Sequence, residues 1–264
     1  MRRSWHMRSL AAVASDTASP KDRFLTVYGR KPVLEALADR SLTIDKVLLA
    51  DTARAPEILR AARDRGVAVH RASAQRVKVL AGNGKQDQGV LADVVAPRMR
   101  SLTSALTSPP RTVLLLDGIT TPANVGMILR TATAAGIGGI VVPRRGVAGL
   151  DPLVVKASAG VAFTAPVLRC YTAVEAATAL RAAGYPLVGL AADARASVFT
   201  ATLPRRCAFV LGGETHGVSP EVRAQVTDWV SIPMSGSVES LNVASAAAVL
   251  CFELVRRSEA EQNR

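Results

Sequence analysis

Three polar, glycine-containing segments hold the side chains of this chain that could do chemistry. They occupy residues 117–130, 211–220 and 231–247, and each follows a short apolar run typical of a buried strand. Each also leads into a pattern that predicts a helix start, where backbone N–H groups and capping side chains can bind a polar ligand. This layout predicts ligand-binding loops.

The first segment offers an amide, a glycine and a cation on one predicted helix. Asn124 is expected to cap the helix and Gly126 to allow close approach, with Arg130 four residues beyond Gly126 on the same face. An arginine placed there could clamp a phosphate or a ribose. The alternative is an ordinary capped helix that carries an exposed arginine.

The second segment begins with two glycines after a predicted strand. Gly212 and Gly213 permit a tight turn and expose backbone N–H groups, and Glu214 could cap a helix or accept hydrogen bonds from a bound group. Ser219 and Pro220 predict a helix start. The alternative is a plain strand–loop–helix connection. His216 stands alone in the loop and is not predicted to be catalytic.

The third segment runs from an apolar strand through a polar loop into a helix of small residues. Ser240 and Asn242 are expected to cap that helix. Because all three segments leave strand ends of one predicted sheet, they can converge on one cleft. None contains G-x-G-x-x-G or G-x-x-x-x-G-K-[ST], which weighs against an ordinary dinucleotide or P-loop site.

The elements that must position these loops predict an α/β fold with a mostly parallel sheet. Apolar runs alternate with helical patterns from residue 111 onward, and the continuous run 113–116 is typical of a strand covered on both faces. Strands are expected at residues 113–116, 139–142, 187–191, 208–211 and 229–232, and helices at 124–135 and 173–183.

The region before residue 97 predicts a separate, smaller α/β unit, followed by a segment with Ser, Thr and paired prolines. Its strands are expected at residues 44–49, 67–69 and 89–95, with a helix at 56–65 closed by Gly66. We assign residues 1–23 to a disordered basic tail, 24–97 to the small unit, 98–110 to a linker, 111–258 to the large domain and 259–264 to a C-terminal tail.

The charge balance of the 264-residue chain favours a polyanionic partner. Lys and Arg number 33 against 21 Asp and Glu, a net charge of +12, which favours nucleic acid ahead of an anionic membrane surface. The alternative is an arginine-rich composition that reflects a GC-biased genome. Residues 1–23 are basic and resemble a transit peptide, but a tail that grips RNA or a misplaced start site explains them equally well.

The cysteines and histidines exclude two classes of site. Cys170, Cys207 and Cys251 are scattered and show no C-x-x-C spacing, which fits a reducing compartment and argues against a disulfide framework or a zinc site. The three histidines are equally dispersed, so no metal site is predicted. No apolar run approaches the roughly 18 to 20 residues that span a bilayer, so no membrane partner is expected.

The three segments closely resemble the three motifs of the SpoU/TrmH branch of the SPOUT RNA methyltransferases. The motifs are Asn-x-Gly with a later Arg, then Gly-x-Glu-x-x-Gly, then Ile-Pro-Met with Ser-Leu-Asn-Val, in this order across residues 111–257. The matched residues are Asn124, Gly126 and Arg130; Gly212, Glu214 and Gly217; and residues 232–234 with 240–243.

The resemblance implies a SPOUT domain that has a parallel sheet and a deep trefoil knot, an exception to the rule that chains do not thread their loops. It also implies a homodimer and S-adenosyl-L-methionine bent into the knot, without a metal. By the same resemblance, the residues that line the cofactor pocket are Leu190, Ala191, Gly212, Ile232, Met234 and Leu241.

The reaction implied by the resemblance is methyl transfer to a ribose 2′-hydroxyl of RNA. Its catalytic residues would be Arg130, Asn124, Glu214, Ser240 and Asn242. Proposals for the family make the motif-one arginine, here Arg130, the base that takes the hydroxyl proton. Because a guanidinium stays protonated to very high pH, the alternative is that Arg130 positions a phosphate and stabilises the developing alkoxide.

The small unit resembles the substrate-binding domain of the ribosomal-RNA members, which is itself similar to ribosomal proteins that grip kinked RNA. The match covers residues 28–37 and 88–92 and implies RNA contacts from Arg30, Lys31 and Gln88. Members often have a histidine where this chain has Asp87. The module favours the 23S rRNA guanosine-2′-O-methyltransferase type over the tRNA type.

Other functions stay open at this point. The same motifs fit a tRNA 2′-O-methyltransferase or an rRNA methyltransferase that protects an antibiotic producer. A non-catalytic RNA-binding assembly factor could keep the fold, although the intact Arg130, Glu214 and Asn242 speak against it. A cytoplasmic location is expected, with organellar targeting by residues 1–23 as the alternative.

Overall fold

The protein is described here by a computed structural model that covers residues 23–82, 87–235 and 239–262. Residues 1–22 lie outside the described part, so the basic tail expected at residues 1–23 is not described beyond Arg23. The described residues form a four-stranded sheet near the N-terminus and an eight-stranded sheet that holds most of the chain.

The N-terminal unit is a small, mixed sheet with helices on both faces. The order is β1-β4-β2-β3, in which β4 runs antiparallel to both neighbours and β2 pairs with β3 in parallel. Its elements are β1 Phe24–Tyr28, α1 Arg30–Ala38, β2 Ile44–Ala50, α2 Pro56–Asp64, β3 Val69–Ala72, α3 Ala74–Ala81 and β4 Val90–Val95. Helices α1 and α2 pack against each other, and Gly66 follows α2 with a positive φ of 64°.

The rest of the chain alternates strands and helices. Its elements are β5 Arg100–Ser101, α4 Leu102–Leu106, β6 Thr112–Asp117, α5 Pro122–Ala134, β7 Gly139–Pro143, α6 Pro152–Ala157, β8 Val167–Cys170, α7 Ala173–Ala182, β9 Leu187–Leu190, β10 Ala196–Ser197, β11 Cys207–Gly212, α8 Pro220–Arg223, β12 Asp228–Ser231 and α9 Val243–Gln262. The predicted strands and helices of this region are all present, with ends shifted by one or two residues.

All neighbouring strands of the large sheet are parallel, in the order β10-β12-β9-β11-β6-β7-β8-β5. Helices α5, α6 and α9 pack on one face, and α4, α7 and α8 lie on the other. Residues 113–116 are fully buried, as expected for a strand between two helical layers. The carboxyl ends of all these strands therefore meet at one edge.

The segment expected to be a linker, residues 98–110, holds regular structure. Strand β5 pairs with β8 at the edge of the large sheet, and α4 packs on α7 and β8. Leu102 and Ala105 are buried there, while Ser101 caps α4 through a hydrogen bond from Ser104 N. Several of the serines and threonines that suggested a linker thus lie at the N-cap of α4 or within that helix. Residues 259–262, expected to be a tail, continue α9.

Gly126 allows a close approach, but the approaching group is a neighbouring helix. A Cβ added at Gly126 would lie 2.5 Å from Ala157 Cβ and 2.7 Å from the carbonyl oxygen of Val154, both on α6. The glycine therefore lets α5 and α6 pack backbone to backbone. The close approach expected at Gly126 is therefore made by α6, and Gly126 is buried whereas Arg130, about one turn further along the helix, is exposed.

Gly126→Ala is expected to destabilise the fold by about 1–3 kcal/mol, the usual cost of overpacking a tight contact. Urea titration of the variant would measure this as a lower transition midpoint. Gly149→Ala is the matched control, because a Cβ there meets nothing within 4 Å and the backbone needs no positive φ. Equal stability of the two variants would contradict the helix-packing role of Gly126.

A buried carboxylate ties α9 to the segment after β10. The Glu253 side chain is 4% exposed and accepts hydrogen bonds from Arg256 Nε at 2.7 Å and Arg257 Nε at 2.7 Å. Arg257 in turn donates to the carbonyl oxygens of Val198 and Ala201. These bonds hold the pKa of Glu253 at about 2, with the Arg256 bond as the largest cause.

Because the folded pKa of Glu253 lies below its usual 4.5, its charge stabilises the fold above about pH 4.5 and loses that effect as the pH falls toward 2. Glu253→Gln is expected to cost about 1–3 kcal/mol at pH 7, as for other lost charge-assisted bonds. Denaturant titrations at pH 7 and pH 3 should show this cost shrinking in acid. Glu259→Gln, an exposed change on the same helix, should show no such pH dependence.

Candidate active site

The loops after β6, β11 and β12 meet at the carboxyl edge of the large sheet. Strands β6 and β11 are direct neighbours, and the Asp117 carboxylate at the end of β6 accepts a hydrogen bond from Ser219 N at 2.7 Å. A Cβ on Gly213 would lie 2.3 Å from the carbonyl oxygen of Gly118, so the two loops touch through their backbones. The predicted convergence of these loops is therefore present.

The glycines after β11 form a tight hairpin. Gly213 and Gly217 exchange backbone hydrogen bonds of 3.0 and 2.9 Å, and a Cβ on Gly212 would lie 2.2 Å from the Gly217 carbonyl carbon. Gly217 has a φ of 65°, which only glycine adopts without strain. This turn raises Glu214 at its tip toward the other two loops.

Asn124, Glu214 and Asn242 form one hydrogen-bonded cluster that joins the three loops. Glu214 Oε1 accepts from Asn124 Nδ2 at 2.8 Å and from Asn242 Nδ2 at 2.6 Å, and Asn242 also donates to Asn124 Oδ1 at 3.1 Å. Asn124 is buried, whereas Glu214 and Asn242 are exposed. No described residue donates to Glu214 Oε2, so this carboxylate oxygen keeps its capacity to accept a hydrogen bond.

The capping roles differ from those expected. Helix α5 begins at Pro122 after Thr121, so Asn124 lies inside the first turn and its side chain turns to Glu214 instead of capping. Asn242 does cap α9, because its Oδ1 accepts from Ala244 N at 2.9 Å. Ser240 lies two residues before this cap and forms no hydrogen bond with a described residue. Only one of the three expected caps is present.

A cavity of about 500 Å³ opens beside this cluster between the ends of β9, β11 and β12. Glu214, Ser240 and Asn242 lie on its wall. The six residues expected to line a cofactor pocket all line it: Leu190, Ala191, Gly212, Ile232, Met234 and Leu241. Among the described residues, apolar side chains and strand-end backbone therefore surround the space.

Arg130 lies away from this cavity. It is exposed on α5 and makes no hydrogen bond or ion pair with any described residue. At 1.5 Å per residue it stands about 9 Å along the helix from Asn124. The chain thus brings Asn124, Glu214, Ser240 and Asn242 together and leaves Arg130 pointing outward from the same helix.

Two residues that are not among the predicted site residues, Arg223 and Trp229, also line the cavity. The Arg223 guanidinium lies 4.3 Å from the centroid of the Trp229 ring. Their signal in the sequence is faint, because the two are brought together by the reversal between α8 and β12. A tryptophan in a chain with only 4% aromatic residues was the available hint.

The residues expected to contact RNA have unequal surroundings in the N-terminal unit. Gln88 Oε1 accepts from Arg30 N at 2.9 Å and so caps α1, while the Arg30 guanidinium donates to the Arg54 carbonyl oxygen. The Lys31 side chain is 88% exposed and only 3.9 Å from Glu35. Asp87 is buried and accepts from Gly89 N, which holds the turn before β4.

The cysteines offer no nucleophile to this site. Burial raises the pKa of Cys170, Cys207 and Cys251 to about 12, so each is a neutral thiol near pH 7. In the described part of the chain, no group of three or more His, Cys, Asp or Glu side chains could hold a metal. Within the same residues, every helix is too short or too polar to cross a bilayer.

Two family models match the chain, and together they cover both sheets. Residues 111–252 match the SpoU rRNA methylase family, which includes all three loops of the candidate site. The chain belongs to the SpoU rRNA methylase family. Residues 26–100 match the RNA 2′-O ribose methyltransferase substrate-binding model. The resemblance of the motifs to this family is therefore confirmed.

Relatives of this SpoU-family chain include proteins called 23S rRNA (guanosine-2′-O-)-methyltransferase RlmB. The one from Burkholderia sp is 38% identical over 102 residues, which are 39% of this chain and 41% of that protein. The one from Vibrio cholerae is 36% identical over 109 residues, 41% of this chain and 44% of that protein. These matches span less than half the length of the relatives.

Solved structures described as TrmH-family and SpoU methyltransferases match over about nine tenths of the chain. A TrmH-family protein from Porphyromonas gingivalis is 32% identical, covers 90% of this chain and 91% of that one, and gives a TM-score of 0.60. The SpoU methyltransferase AviRb from Streptomyces viridochromogenes, solved in complex with AdoMet, is 28% identical with a TM-score of 0.60. It covers 91% of this chain and 92% of its own.

Proposed function

We propose that the protein transfers a methyl group from S-adenosyl-L-methionine to a ribose 2′-hydroxyl of RNA, with 23S rRNA the favoured substrate. One observation carries this proposal. All six residues expected to bind the cofactor line one cavity, and Glu214, Ser240 and Asn242 lie on its wall. The net charge of +12 adds attraction for a polyanionic substrate.

The residues of the cavity fit this cofactor. A volume of about 500 Å³ is in the range of small-molecule sites, and Leu190, Ile232, Met234 and Leu241 offer apolar surface for an adenine ring. Backbone groups at the strand ends can bind its polar edge. The wall also carries one carboxylate, Glu214, and one guanidinium, Arg223. No metal is needed.

The chemistry needs an electrophilic methyl, an oriented hydroxyl and a place for one proton. When bound, S-adenosylmethionine supplies a methyl already activated by its positive sulfonium. Glu214 is held by Asn124 and Asn242 through Oε1, so its Oε2 can accept a hydrogen bond from the ribose 2′-hydroxyl. The same oxygen can take the proton that this hydroxyl loses as its oxygen bonds the methyl carbon and the sulfur–methyl bond breaks. Ser240 adds a hydroxyl at the cavity wall. Arg130 would stabilise the developing alkoxide and position a neighbouring phosphate.

The test is incubation of the purified protein with methyl-labelled S-adenosylmethionine and separate 23S rRNA and tRNA pools from a strain lacking the gene. Label in 23S rRNA, located at a 2′-O-methyl nucleotide by nuclease mapping, is the expected result. Label in tRNA alone would show that the substrate is tRNA and not 23S rRNA. No label together with no cofactor binding would leave the non-enzymatic assembly factor as the better function.

A producer's self-resistance methyltransferase remains the second enzymatic candidate. The same cavity and charge serve either enzyme, so only the cellular effect separates them. A deletion strain that gains sensitivity to a ribosome-directed antibiotic would favour self-resistance, whereas loss of one rRNA 2′-O-methyl group without altered sensitivity would favour a housekeeping role.

We infer that the C-terminal part of the chain forms the deep trefoil knot of the SPOUT fold. Two observations support this inference. Strand β12 lies beyond β9 in the sheet, yet α9 returns to pack on α5 and β11. The segment after β10 lies against this returning helix, where Arg257 binds the carbonyl oxygens of Val198 and Ala201.

We also infer a homodimer formed through the helical face of α5, α6 and α9. Met127, Leu153 and Phe252 are exposed on these helices by 41%, 53% and 53%. Side chains of this size are rarely left in water together on packed helices. Since Arg130 lies on α5 outside the cavity of its own chain, a two-fold interface here could bring it to the cavity of a second protomer.

The N-terminal unit is proposed to bind the RNA substrate. Lys31 is its best-placed predicted contact, because its side chain is 88% exposed and has only a long ion pair with Glu35, whereas Arg30 and Gln88 are hydrogen-bonded within the protein. We propose residues 24–97 as this unit and 111–258 as the methyltransferase domain, with residues 98–110 joining them. The scattered free cysteines support a cytoplasmic location.

A further inference from the structure

The cavity wall holds one cationic side chain among the described residues, and that side chain has no assigned role. Arg223 is the last residue of α8, whereas Glu214, the acidic residue of the wall, lies in the hairpin after β11. The two amides of Asn124 and Asn242 already bind Glu214 Oε1. The charge of Arg223 is therefore separate from the hydrogen-bonded cluster.

Trp229 holds the Arg223 side chain at a defined place. Its ring lies 4.3 Å from the guanidinium carbon, a distance typical of a cation–π contact. The ring itself is seated on Gly189 of the adjacent strand, where an added Cβ would lie 2.4 Å from a ring carbon. The absence of a side chain at Gly189 thus gives Trp229, and through it Arg223, a fixed position.

The guanidinium is otherwise unpartnered among the described residues. Arg256 and Arg257 bind Glu253, and Arg111 and Arg205 approach Glu261, but Arg223 has no ion pair of this kind. An arginine stacked on an aromatic face keeps its five N–H donors at the edge of the plane. A guanidinium that lies on a cavity wall without an ion-pair partner can bind a carboxylate or a phosphate through two parallel hydrogen bonds.

We propose that Arg223, held by Trp229, binds the α-carboxylate of the methionine part of S-adenosylmethionine. This inference rests on the proposed cofactor and assigns it a carboxylate subsite. The arrangement places the negative end of the amino acid at Arg223 and leaves Glu214 on the side of the Asn124 and Asn242 cluster. An RNA phosphate is the competing occupant, and the experiment separates the two.

The experiment measures binding of two ligands by calorimetry, S-adenosylhomocysteine and its decarboxylated analogue, which lacks only the α-carboxyl group. The wild-type protein should prefer the complete ligand. Arg223→Ala should weaken S-adenosylhomocysteine binding about tenfold or more and change that of the analogue less than about twofold, since charged hydrogen bonds carry the difference. Arg223→Lys should fall between, because it keeps the charge but loses the fork.

Arg206→Ala is the matched control. Arg206 also stacks on an aromatic ring, that of Tyr185 at 4.3 Å, but it precedes β11 at the amino edge of the sheet. The Arg206→Ala variant should bind S-adenosylhomocysteine and its decarboxylated analogue with unchanged affinities. Equal weakening of both ligands by Arg223→Ala would overturn the proposal in favour of a packing role. Unchanged affinities, with weaker RNA binding, would overturn it in favour of a phosphate contact.

The two levels of the proposal fail in different ways. A wild-type protein that binds neither ligand would contradict the cofactor assignment itself. A wild-type protein that binds S-adenosylhomocysteine, with an Arg223→Ala variant that still discriminates against the decarboxylated analogue to the same extent, would contradict the carboxylate subsite alone. Circular dichroism of each variant shows whether it keeps the fold.

Discussion

Glu214→Ala is expected to lower the single-turnover rate of methyl transfer about 100- to 1000-fold while changing cofactor affinity only a few-fold. The reason is that Glu214 Oε1 joins Asn124 and Asn242, and small losses of alignment at a reacting centre are costly. Removing the carboxylate releases two amides from two different loops at once. Quench-flow with saturating labelled cofactor and RNA measures the rate, and calorimetry measures the affinity.

Glu221→Ala serves as the control for this variant. Glu221 is also an exposed carboxylate, seven residues further along on α8, but it does not line the cavity. Its removal should leave the rate within about twofold, as is usual for surface changes away from special contacts. If Glu214→Ala lost cofactor binding as steeply as rate, the carboxylate would belong to the cofactor site and not to the ribose site.

Arg130→Ala is expected to abolish most methyl transfer, by about 100- to 1000-fold, with cofactor affinity intact, as for loss of one charge-stabilising donor. A mixture of two inactive variants gives a more specific test, of whether two protomers share each site. If two protomers share each site, mixing inactive Arg130→Ala and Glu214→Ala proteins at equal amounts should restore about a quarter of wild-type activity, because half of randomly formed two-fold dimers carry one complete site.

The mixing experiment needs exchange of subunits, which brief partial denaturation and refolding of the mixture provides. Wild-type protein treated in the same way sets the full scale, and each variant refolded alone sets the background. No restoration above that background would place Arg130 and Glu214 in the same chain's site. A monomer in sedimentation analysis would remove the shared site altogether.

Strand positions were predictable because the strands of this domain are buried on both faces. The run at residues 113–116 has no polar position, and such a run has few alternatives to a central strand. The short strands are a different matter. Strand β10, Ala196–Ser197, is two residues long and β5 is Arg100–Ser101, so each depends on a neighbouring strand instead of its own pattern.

The loops of the candidate site were predictable to the level of residue type, but not of partner. Asn124 fits a cap by type, and only the fold shows that Pro122 starts the helix and that the amide turns to Glu214. Gly126 fits a close approach, and only the fold shows that α6 makes it. Arg223 and Trp229 are brought together by a chain reversal, which no local pattern encodes.

The hydrogen bond between Asn242 and Asn124 joins residues 118 positions apart in the sequence. The bond from Asn242 to Glu214 joins residues 28 positions apart. Contacts of such long separation form late, since the intervening chain must first be ordered. During synthesis, Asn124 leaves the ribosome long before Asn242 has been added to the chain. Cofactor affinity is a property of the finished molecule, so the cofactor would stabilise completed chains and could not guide nascent ones.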